Sequence, residues 1–293
     1  MSKTVWLVYN GQLNSVHYLW QISSFGESLS RYGYVPVIMS SHELLARFGT
    51  DDGMLFHTKP AEKPAFCIFY DKDIVLARTL EICGIPVINS SECIRICDDK
   101  ALCALALQNA GLPIPLTFYG GKFYLGTEFH PLLDRAAAQL GWPLVVKGCY
   151  GSFGDQVYLV HDKDELLALL DQIGNKPFVL QKYISYSHGR DVRVVATKKR
   201  VIAAAIREND HDFRSNVSAG GRMSRIELSP AMEKLALGAI RAVGAHFAGI
   251  DLLFRGADDY FVCEVNSNLH FHGIEKCCNI DIADQIARDL LPL

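Results

Sequence analysis

The chain has 293 residues, of which 49% are hydrophobic and 21% charged, a composition typical of a globular enzyme with two or three folded units. Its formal net charge of −3 gives no general attraction to nucleic acid or to anionic membranes. Because no apolar run reaches the ~18 residues of a spanning helix, and the nine cysteines lack a disulfide or zinc spacing, we expect a cytoplasmic protein with reduced thiols and neither nucleic-acid nor membrane partners.

Strand and helix signals alternate through the first 95 residues. The strand-like runs cover 4–9, 35–40, 65–70 and 85–90, and the helical patterns cover 16–32 and 73–83. This βαβα order predicts a small open parallel sheet. Such sheets bind ligands beyond the carboxyl ends of their strands, so Asn10, Asp71 and Asp73 are candidates for an active cleft, although polar residues there serve equally well as helix caps.

Residues 250–266 form the most informative stretch, because they read as two strands joined by a turn at Gly256–Asp259. Pairing around that turn places Asp251 opposite Glu264, with Asn266 two positions further along the same face. Two carboxylates and an amide, completed by water and phosphate oxygens, are a usual way of holding Mg²⁺ beside ATP. A solvated polar face on an ordinary hairpin is the alternative interpretation.

A second motif, VVKGCYGSFGDQVYLV (145–160), reads as strand, glycine-rich loop and strand. Lys147 closes the first strand, and Gly148, Gly151 and Gly154 lie in the loop. Glycines let backbone N–H groups approach phosphate oxygens, and a lysine adds a positive charge at the same place. The loop is neither a Walker loop nor a dinucleotide fingerprint, since no GK[ST] and no helix follow it.

Five segments follow the order and spacing of one family, namely DDKALCALALQNAGLPIPLT (98–117), PLVVKGCYGSFGDQVYLV (143–160), VLQKYISYSHGRDVRVV (179–195), DFRSNVSAGG (212–221) and EVNSN (264–268). In them the chain resembles the ATP-grasp superfamily, and in particular RimK-type carboxylate–amine ligases. The resemblance implies an α/β protein, α+β in its C-terminal part, with an ATP-grasp fold behind a small parallel-sheet domain. We expect an N-terminal domain at 1–95, a central subdomain with the glycine-rich lid at 96–176, and a C-terminal subdomain with the adenine hinge and metal site at 177–293.

The resemblance also implies a nucleotide site. Lys147 is expected at the α- and β-phosphates, Lys100 reaches in from the preceding unit, and the backbone at Gln181–Tyr183 reads adenine. Asp191 matches the ribose-binding acid, although without the resemblance a turn residue after Gly189 would be the favoured interpretation. The nucleotide contacts implied in this way are Lys100, Lys147, Gly151, Ser152, Gly154, Gln181, Lys182, Tyr183, Asp191, Arg214, Ser215 and Asn216.

The same resemblance assigns the catalytic arginines and the metal. Arg207 is expected to face the forming acyl phosphate and Arg214 the nucleotide phosphates, because a guanidinium fork suits phosphate and carboxylate oxygens. Salt bridges from Arg207 to Glu208 or Asp210 are the competing interpretation. Asp251, Glu264 and Asn266 are expected to hold two Mg²⁺ or Mn²⁺ ions bridged by Glu264.

The chain departs from the family at three places. Gln156 replaces the third lid glycine, which implies a stiffer lid or a different nucleotide contact, and Lys182 replaces a common glutamate. After the metal-binding hairpin, LHFHGIE (269–275) replaces the usual Pro-Gly continuation. These departures lie beside the expected ATP and acceptor sites.

The LHFHGIE loop suggests acceptor-facing residues, with Phe271 stacking or His270 and His272 binding an acceptor carboxylate. As imidazolium groups, the histidines would bind the acceptor less well as the pH rises through about 6.5. A histidine metal pair and simple loop packing are alternatives. Gly220 and Gly221 are further substrate-contact candidates from the DFRSNVSAGG segment.

These features predict an enzyme that joins a carboxylate to an amine, with ATP activating the acid as an acyl phosphate and ADP and phosphate released. An amino acid such as L-glutamate is the expected substrate, and the partners are small molecules or a peptide terminus, with homo-oligomerisation possible. An ATP-binding or kinase-like protein that does not ligate is the alternative. A modifier of ribosomal protein would require a basic surface, which the net charge does not favour.

Overall fold

The computed structural model of the protein describes residues 3–49, 54–57, 62–121, 131–152, 154–216 and 220–290. Its helices are α1 (Val16–Arg31), α2 (Ile74–Ile82), α3 (Ser91–Asp98), α4 (Lys100–Asn109), α5 (Pro131–Leu140), α6 (Lys163–Ile173), α7 (Pro230–Val243), α8 (His272–Cys278) and α9 (Ile282–Asp289). Its strands are β1 (Thr4–Tyr9), β2 (Val35–Ser40), β3 (Leu44–Ala46), β4 (Leu55–His57), β5 (Phe66–Tyr70), β6 (Val87–Ile88), β7 (Thr117–Gly121), β8 (Leu144–Gly148), β9 (Val157–Val160), β10 (Phe178–Lys182), β11 (Arg190–Thr197), β12 (Val201–Glu208), β13 (Arg222–Arg225), β14 (Phe247–Phe254) and β15 (Tyr260–Asn266). Within these ranges no helix is both long and apolar enough to cross a membrane.

The N-terminal part contains the predicted parallel sheet, in the order β2-β1-β5-β6. Its central strands β1 and β5 are almost entirely apolar and buried, as parallel strands covered on both faces must be. Ser15 caps α1 and Asp73 caps α2, each accepting a hydrogen bond from a backbone N–H in the first turn. Strands β1 and β5 end at the same edge of the sheet, where Asn10 N donates to Tyr70 O.

The central sheet is antiparallel, in the order β7-β10-β8-β9, and packs against α5 and α6 through a separate core. Its middle strand β10 pairs with both β7 and β8. The boundary expected at 176/177 therefore divides this sheet, because the backbone hydrogen bonds of β10 belong to the central unit. The chain leaves the central sheet after Lys182, and the next strand, β11, belongs to the third sheet.

The third sheet is also antiparallel, in the order β13-β12-β11-β14-β15. Helix α7 covers one face, where Ala236, Ala239 and Ile240 are buried against strand residues. Pro230 at the first turn and Gly244 in the left-handed conformation fix the two ends of that helix. The opposite face is left for the functional cavity and for α8.

The last two helices return to the N-terminal part. Helix α9 packs along α1, and α8 touches both α1 and β13. Phe25 of α1, Phe247 of β14 and Phe271 before α8 are fully buried in one shared core. The N-terminal sheet and the β14–β15 hairpin are thus joined through continuous apolar packing.

Candidate active site

A cavity of about 720 Å³ opens where residues of the N-terminal part, the central sheet and the third sheet meet. It brings together nearly all of the predicted site residues, namely Lys100, Lys147, Gly151, Ser152, Gly154, Gln181, Lys182, Tyr183, Asp191, Arg207, Arg214, Ser215, Asn216, Asp251, Glu264, Asn266, His270 and His272. Gly220 and Gly221 do not line it. Residues more than 150 positions apart in sequence therefore share one concave site, as an active site requires.

The hairpin of β14 and β15 has the predicted register at the cavity end. Asp251 lies opposite Glu264, and Asn266 follows two positions along β15. The turn was predicted at 256–259, but the strands separate one residue earlier and the loop covers 255–259. The register at Asp251 is nevertheless the predicted one, because a bulge compensates for the longer loop.

Cys263 is the extra residue of that bulge, since Leu252 pairs with Val262 and the next pair joins Asp251 to Glu264. The bulge breaks the strict alternation of side chains. Cys263 and Glu264 therefore both line the cavity, whereas Val262 lies in the core behind it. Two neighbouring side chains reach the site where an unbroken strand would supply one.

Alternating acids and arginines form the wall beside the hairpin. Arg207 donates hydrogen bonds to Asp191 from Nε and Nη2, and the distance from Nε to Oδ1 is 2.7 Å. The same Nη2 lies 3.0 Å from Asp251 Oδ2. Arg193 binds both oxygens of Asp251, with Nη2 2.9 Å from Oδ2. Burial acts to raise the pKa of Asp251, but the two guanidiniums outweigh it and lower that pKa.

This wall corrects two interpretations of the sequence. Pairing of Arg207 with Glu208 or Asp210 is wrong, because both acids pair with Arg222 on the surface. Asp191 is not a turn residue but a buried member of β11. Its carboxylate is bound by Arg207, so its predicted ribose contact remains a prediction that requires the pair to open or to share an oxygen.

Lys147 lies at the end of β8 with 8% of its surface exposed, and its Nζ is 3.4 Å from Cys263 Sγ. Burial disfavours the ammonium, but the nearby Cys263, Glu264 and Asp251 outweigh that effect and raise the pKa of Lys147. Burial raises the pKa of the Cys263 thiol even though Lys147 opposes this. The Lys147 ammonium therefore contacts Cys263 and is stabilised by the nearby carboxylates of Glu264 and Asp251.

The glycine-rich lid contacts three parts of the cavity wall. Lys100 Nζ donates to Gly151 O at 3.3 Å, and Lys72 Nζ donates to Ser152 Oγ at 3.0 Å. Arg214 Nη1 donates to Gly154 O at 2.8 Å. The loop thus contacts the first residue of α4, the N-terminal part and Arg214.

Gln156 fills the space that a glycine would leave open. A Cβ on Gly148 would lie 2.2 Å from Gln156 Oε1, and one on Gly151 would lie 3.5 Å from Gln156 Cδ. The side chain therefore folds beneath the lid glycines. This packing is consistent with the expectation of a stiffer lid, whereas Phe153 lies outside the described residues.

The predicted adenine hinge follows β10. Gln181 is buried and donates from Nε2 to Thr117 Oγ1 at 2.8 Å, and Lys182 N donates to Leu116 O at 2.8 Å. The Lys182 side chain is exposed, so the replacement of the common glutamate changes a group at the cavity margin. Recognition through main-chain groups, as the resemblance implies, tolerates this change.

Arg214, Ser215 and Asn216 reach the cavity from the loop after β12. Asp212 holds Arg214, with Nη2 2.7 Å from Oδ2. Gly221 lies behind this loop: a Cβ there would be 2.6 Å from Ser215 O, and its N–H donates to Asn216 O at 3.2 Å. Close backbone packing thus explains why residue 221 is a glycine. A substrate contact for Gly220 or Gly221 remains only a prediction.

The LHFHGIE loop is partly core. Phe271 is fully buried, so stacking of Phe271 on an acceptor is wrong: its ring packs beside Phe25. His272 stacks on His17, with ring centroids 4.2 Å apart, and contacts Trp20 edge-on. His270 instead faces the cavity next to Tyr18, at 5.6 Å between ring centroids.

Both loop histidines are neutral near pH 7, which corrects the imidazolium hypothesis for the ligand-free protein. Partial desolvation and the charges of Arg193 and Lys72 lower the pKa of His270. Desolvation, His17 and Lys276 lower that of His272. A loss of acceptor affinity centred on the ordinary histidine pKa of about 6.5 is therefore not expected. Among the described residues, no group of three or more His, Cys, Asp or Glu side chains is placed to hold a metal, and His270 and His272 contact different residues, so the histidine metal pair stays only an alternative.

The N-terminal part supplies residues that the sequence interpretation missed. Of the three candidates, Asn10 lines the cavity, Asp73 caps α2, and Asp71 accepts a hydrogen bond from Asn10 Nδ2 at 2.9 Å. Lys72, between the two aspartates, also lines the cavity. Arg193 was missed as well, although its place two residues after Asp191 on one strand face could have revealed it.

The donor set fits a divalent cation that is also bound by phosphate oxygens. Asp251 and Glu264 supply carboxylates from paired positions, and Asn266 supplies an amide. The Asn266 Nδ2 atom is buried without a hydrogen-bond partner among the described residues, and the amide oxygen is the atom of this side chain that could bind a cation. Two carboxylates and an amide match a magnesium site completed by nucleotide rather than a closed protein cage.

A comparison of folds gives the class of the protein. The crystal structure of a RimK domain protein, an ATP-grasp protein from Sphaerobacter thermophilus, superposes with a TM-score of 0.73 and covers 98% of this chain and 99% of that chain, at 20% identity. The D-alanine–D-alanine ligase of Bacillus anthracis, complexed with ATP, gives a TM-score of 0.71 at 19% identity, covering 98% of this chain and 95% of that chain. The protein therefore has the ATP-grasp fold, as the sequence predicts.

A family model described as a RimK-like ATP-grasp domain matches residues 97–290, and the chain belongs to that family. Beta-citrylglutamate synthase B of Mus musculus is 37% identical over 220 residues, which is 74% of this chain but 56% of that protein. A protein named "Probable alpha-L-glutamate ligase" from Alkalilimnicola ehrlichii is 32% identical over 212 residues, which is 71% of this chain and 68% of that protein. The chain thus spans little more than half the length of the mouse relative.

Proposed function

We propose that the protein is an ATP-dependent carboxylate–amine ligase that forms ADP, phosphate and an amide bond. The observation that carries this proposal is the convergence, in one cavity, of the carboxylates Asp251 and Glu264, the buried ammonium of Lys147 and the guanidinium of Arg207 beneath a glycine-rich loop. Stabilisation of a transferring phosphoryl group needs this combination of charges and positioning.

The chemistry has two steps. A carboxylate oxygen of the acid bonds to the γ-phosphorus of ATP while the bond to the ADP oxygen breaks. The amine nitrogen then bonds to the acyl carbon, phosphate leaves with the acyl oxygen, and the nitrogen loses a proton. Hydroxide is a poor leaving group and phosphate a good one, so the first step makes the second possible.

Each group in the cavity has a task in this scheme. Lys147 offsets charge on the nucleotide phosphates, and Arg207 lies where the acyl phosphate forms beside Asp251. Two Mg²⁺ or Mn²⁺ ions held by Asp251, Glu264 and Asn266 would neutralise charge between the β- and γ-phosphates. The loop from Gly151 to Gly154 excludes water, which would otherwise hydrolyse the acyl phosphate.

We infer that glutamate is a substrate. The names of the two relatives describe synthesis of citrylglutamate and ligation of L-glutamate. Both names include glutamate, an acidic amino acid, which suits a cavity with arginines and lysines in its wall. The assay described below identifies the acid that is activated.

The test is an ADP-release assay with magnesium and ATP over a panel of di- and tricarboxylic acids and N-acylated amino acids, with L-glutamate or hydroxylamine as the amine. Hydroxylamine captures an acyl phosphate as a hydroxamate. We expect ADP, phosphate and a hydroxamate with at least one acid. AMP and pyrophosphate would contradict the acyl-phosphate route, and ADP with neither hydroxamate nor amide would favour the kinase-like alternative.

Glu264→Gln sharpens this test. The change removes one carboxylate charge from the cation site, and one such electrostatic group typically contributes about 2.7–4 kcal/mol, or about 10²–10³ in kcat. We expect that loss in turnover with an unchanged thermal unfolding midpoint. The control is Glu92→Gln, an exposed glutamate of α3. Full activity of Glu264→Gln would refute the site assignment.

A further inference from the structure

His270 points into the cavity because its two neighbours are fixed in the core. The Leu269 carbonyl accepts hydrogen bonds from Gln21 Nε2 at 2.9 Å and from Tyr70 Oη at 2.7 Å. Phe271 N donates to Gln21 Oε1 at 2.9 Å. Since Leu269 and Phe271 are both fully buried, the side chain between them is turned to the cavity side.

A second cavity residue holds the ring of His270 from the N-terminal part. The Tyr18 hydroxyl donates to Tyr70 O at 2.8 Å and accepts from Asn10 N at 3.1 Å, so the Tyr18 ring is fixed. Its centroid lies 5.6 Å from that of His270. The imidazole is therefore presented on a rigid support rather than on a free loop.

Arg193 reaches the same corner from β11. Its Nε and Nη2 face Asp251, which leaves Nη1 on the side of Leu269. A Cβ on Gly249 would lie 3.1 Å from Nη1 and 2.7 Å from Leu269 Cδ1, so all three groups meet there and only a glycine fits. Arg193 thus lies between the cation site and the loop that presents His270.

Two cations lie near His270. Partial desolvation lowers the pKa of its ring, and the charges of Arg193 and Lys72 act in the same direction. Arg193 is itself paired with Asp251, and Lys72 with Asp98. A neutral imidazole next to two cations can donate a hydrogen bond without adding further repulsion. An anionic ligand matches such a corner, because a hydrogen bond from the imidazole and the positive charge of Arg193, which lines the same cavity, would both act on it.

We propose that His270 and Arg193 bind a carboxylate of the amine substrate, so that the LHFHGIE loop selects an acidic acceptor. This inference rests on the proposed function. The acid to be phosphorylated belongs beside Arg207 and the metal carboxylates, whereas His270 lies on the side formed by α1. His270 lies four positions after Asn266, at most about 13 Å of extended chain at ~3.3 Å per residue, so the amine and the acyl carbon can meet.

The test compares two amines that share the first chemical step. L-Glutamate carries carboxylates, and hydroxylamine carries none but intercepts the same acyl phosphate. With the acid that gives the most hydroxamate in wild type, we expect His270→Phe to raise the KM for L-glutamate about 10-fold or more, the loss typical of a hydrogen bond to a charged group. The KM for ATP and the rate with hydroxylamine should stay within about two-fold of wild type.

Companion variants separate binding from packing. His270→Gln, which keeps an N–H donor, should recover part of the glutamate affinity, and His161→Phe, at an exposed histidine, should resemble wild type. Gly249→Ala, which pushes on Arg193 and Leu269, should raise the glutamate KM as His270→Phe does. Thermal unfolding of each variant checks that it is folded.

The outcomes distinguish this inference from the proposed function. An unchanged glutamate KM in His270→Phe, or equal losses with glutamate and hydroxylamine, would overturn the carboxylate subsite while leaving the ligase intact. Absence of hydroxamate from wild type with every acid would overturn the proposed function instead. A selective rise in glutamate KM with partial recovery in His270→Gln supports the subsite.

Discussion

At the residue scale, the Asp251 carboxylate binds two arginines and is also a proposed cation ligand. Without a cation, Arg193 and Arg207 balance its buried charge, and with a cation its oxygens would be shared between the cation and the arginines. We therefore expect binding of metal and nucleotide to loosen both arginines from Asp251 and to make their donors available to anionic substrates. On the proposals above, Arg207 would then receive the acyl phosphate and Arg193 the carboxylate of the amine substrate.

Arg207→Met tests this balance. The change leaves Asp191 and Asp251 buried without their shared partner, and breaking such a pair typically costs about 3–5 kcal/mol. We expect urea unfolding at pH 7 to show a loss of that size, and Arg207→Lys to lose less stability while remaining poorly active, because it keeps the charge but not the bidentate fork.

The pH dependence of this difference follows from the lowered pKa of Asp251 in the folded protein. The stabilisation from the arginines is fully present above the ordinary aspartate pKa of 3.8 and is lost as the pH falls through the lower folded value. The gap between wild type and Arg207→Met should therefore shrink in acid. An equal gap at pH 7 and at the acid limit of folding would contradict the ion-pair account.

At the scale of elements, the hairpin shows what the sequence can predict. The pairing of Asp251 with Glu264 followed from turn residues and alternation, and the structure confirms it. The bulge at Cys263 could not be predicted, because it depends on Val262 and Val265 both entering the core while Lys147 lies beside the thiol. Those contacts join separate sheets, and local pattern does not contain them.

A second prediction at the scale of elements concerns the loop that carries Arg214 and packs against Gly221. Gly221→Ala would place a Cβ 2.6 Å from Ser215 O and 3.0 Å from Asn216 O, which are backbone atoms that must shift. We expect Arg214, Ser215 and Asn216 to move with them. Titration with magnesium and a non-hydrolysable ATP analogue should show a nucleotide Kd raised about 10-fold or more.

The control for that variant is Gly244→Asn, at the left-handed C-terminus of α7. A Cβ there meets nothing within 4 Å, and asparagine tolerates this conformation. Its nucleotide Kd should match wild type. A wild-type Kd in Gly221→Ala would show that the loop position does not depend on this glycine.

At the scale of the whole molecule, the sequence predicts the family, the ATP-grasp fold and the N-terminal parallel sheet, because each rests on motifs or periodicity within short segments. It does not predict how α1 meets the LHFHGIE loop, since Gln21 and Leu269 are 248 positions apart. For the same reason, Phe271 looked accessible in sequence and is buried in the structure. Roles assigned to a loop depend on what covers its other side.

Gln21 is the residue through which the N-terminal helix fixes the acceptor side of the cavity. It is 1% exposed, and it binds both the Leu269 carbonyl and the Phe271 N–H. Gln21→Leu keeps the volume roughly constant but leaves the Phe271 N–H unsatisfied, which costs about 1–3 kcal/mol. We expect a lower thermal unfolding midpoint and, because His270 lies between the two anchored residues, a higher KM for L-glutamate with the KM for ATP unchanged.

Gln108→Leu, at an exposed position of α4, provides the matched control and should alter neither constant. Loss of stability in Gln21→Leu with a wild-type glutamate KM would mean that α1 only braces the loop and does not set the position of His270. A rise in the ATP KM of the same size would instead mean that the change spreads to the phosphate side, and that the N-terminal part supports the whole cavity rather than its acceptor end.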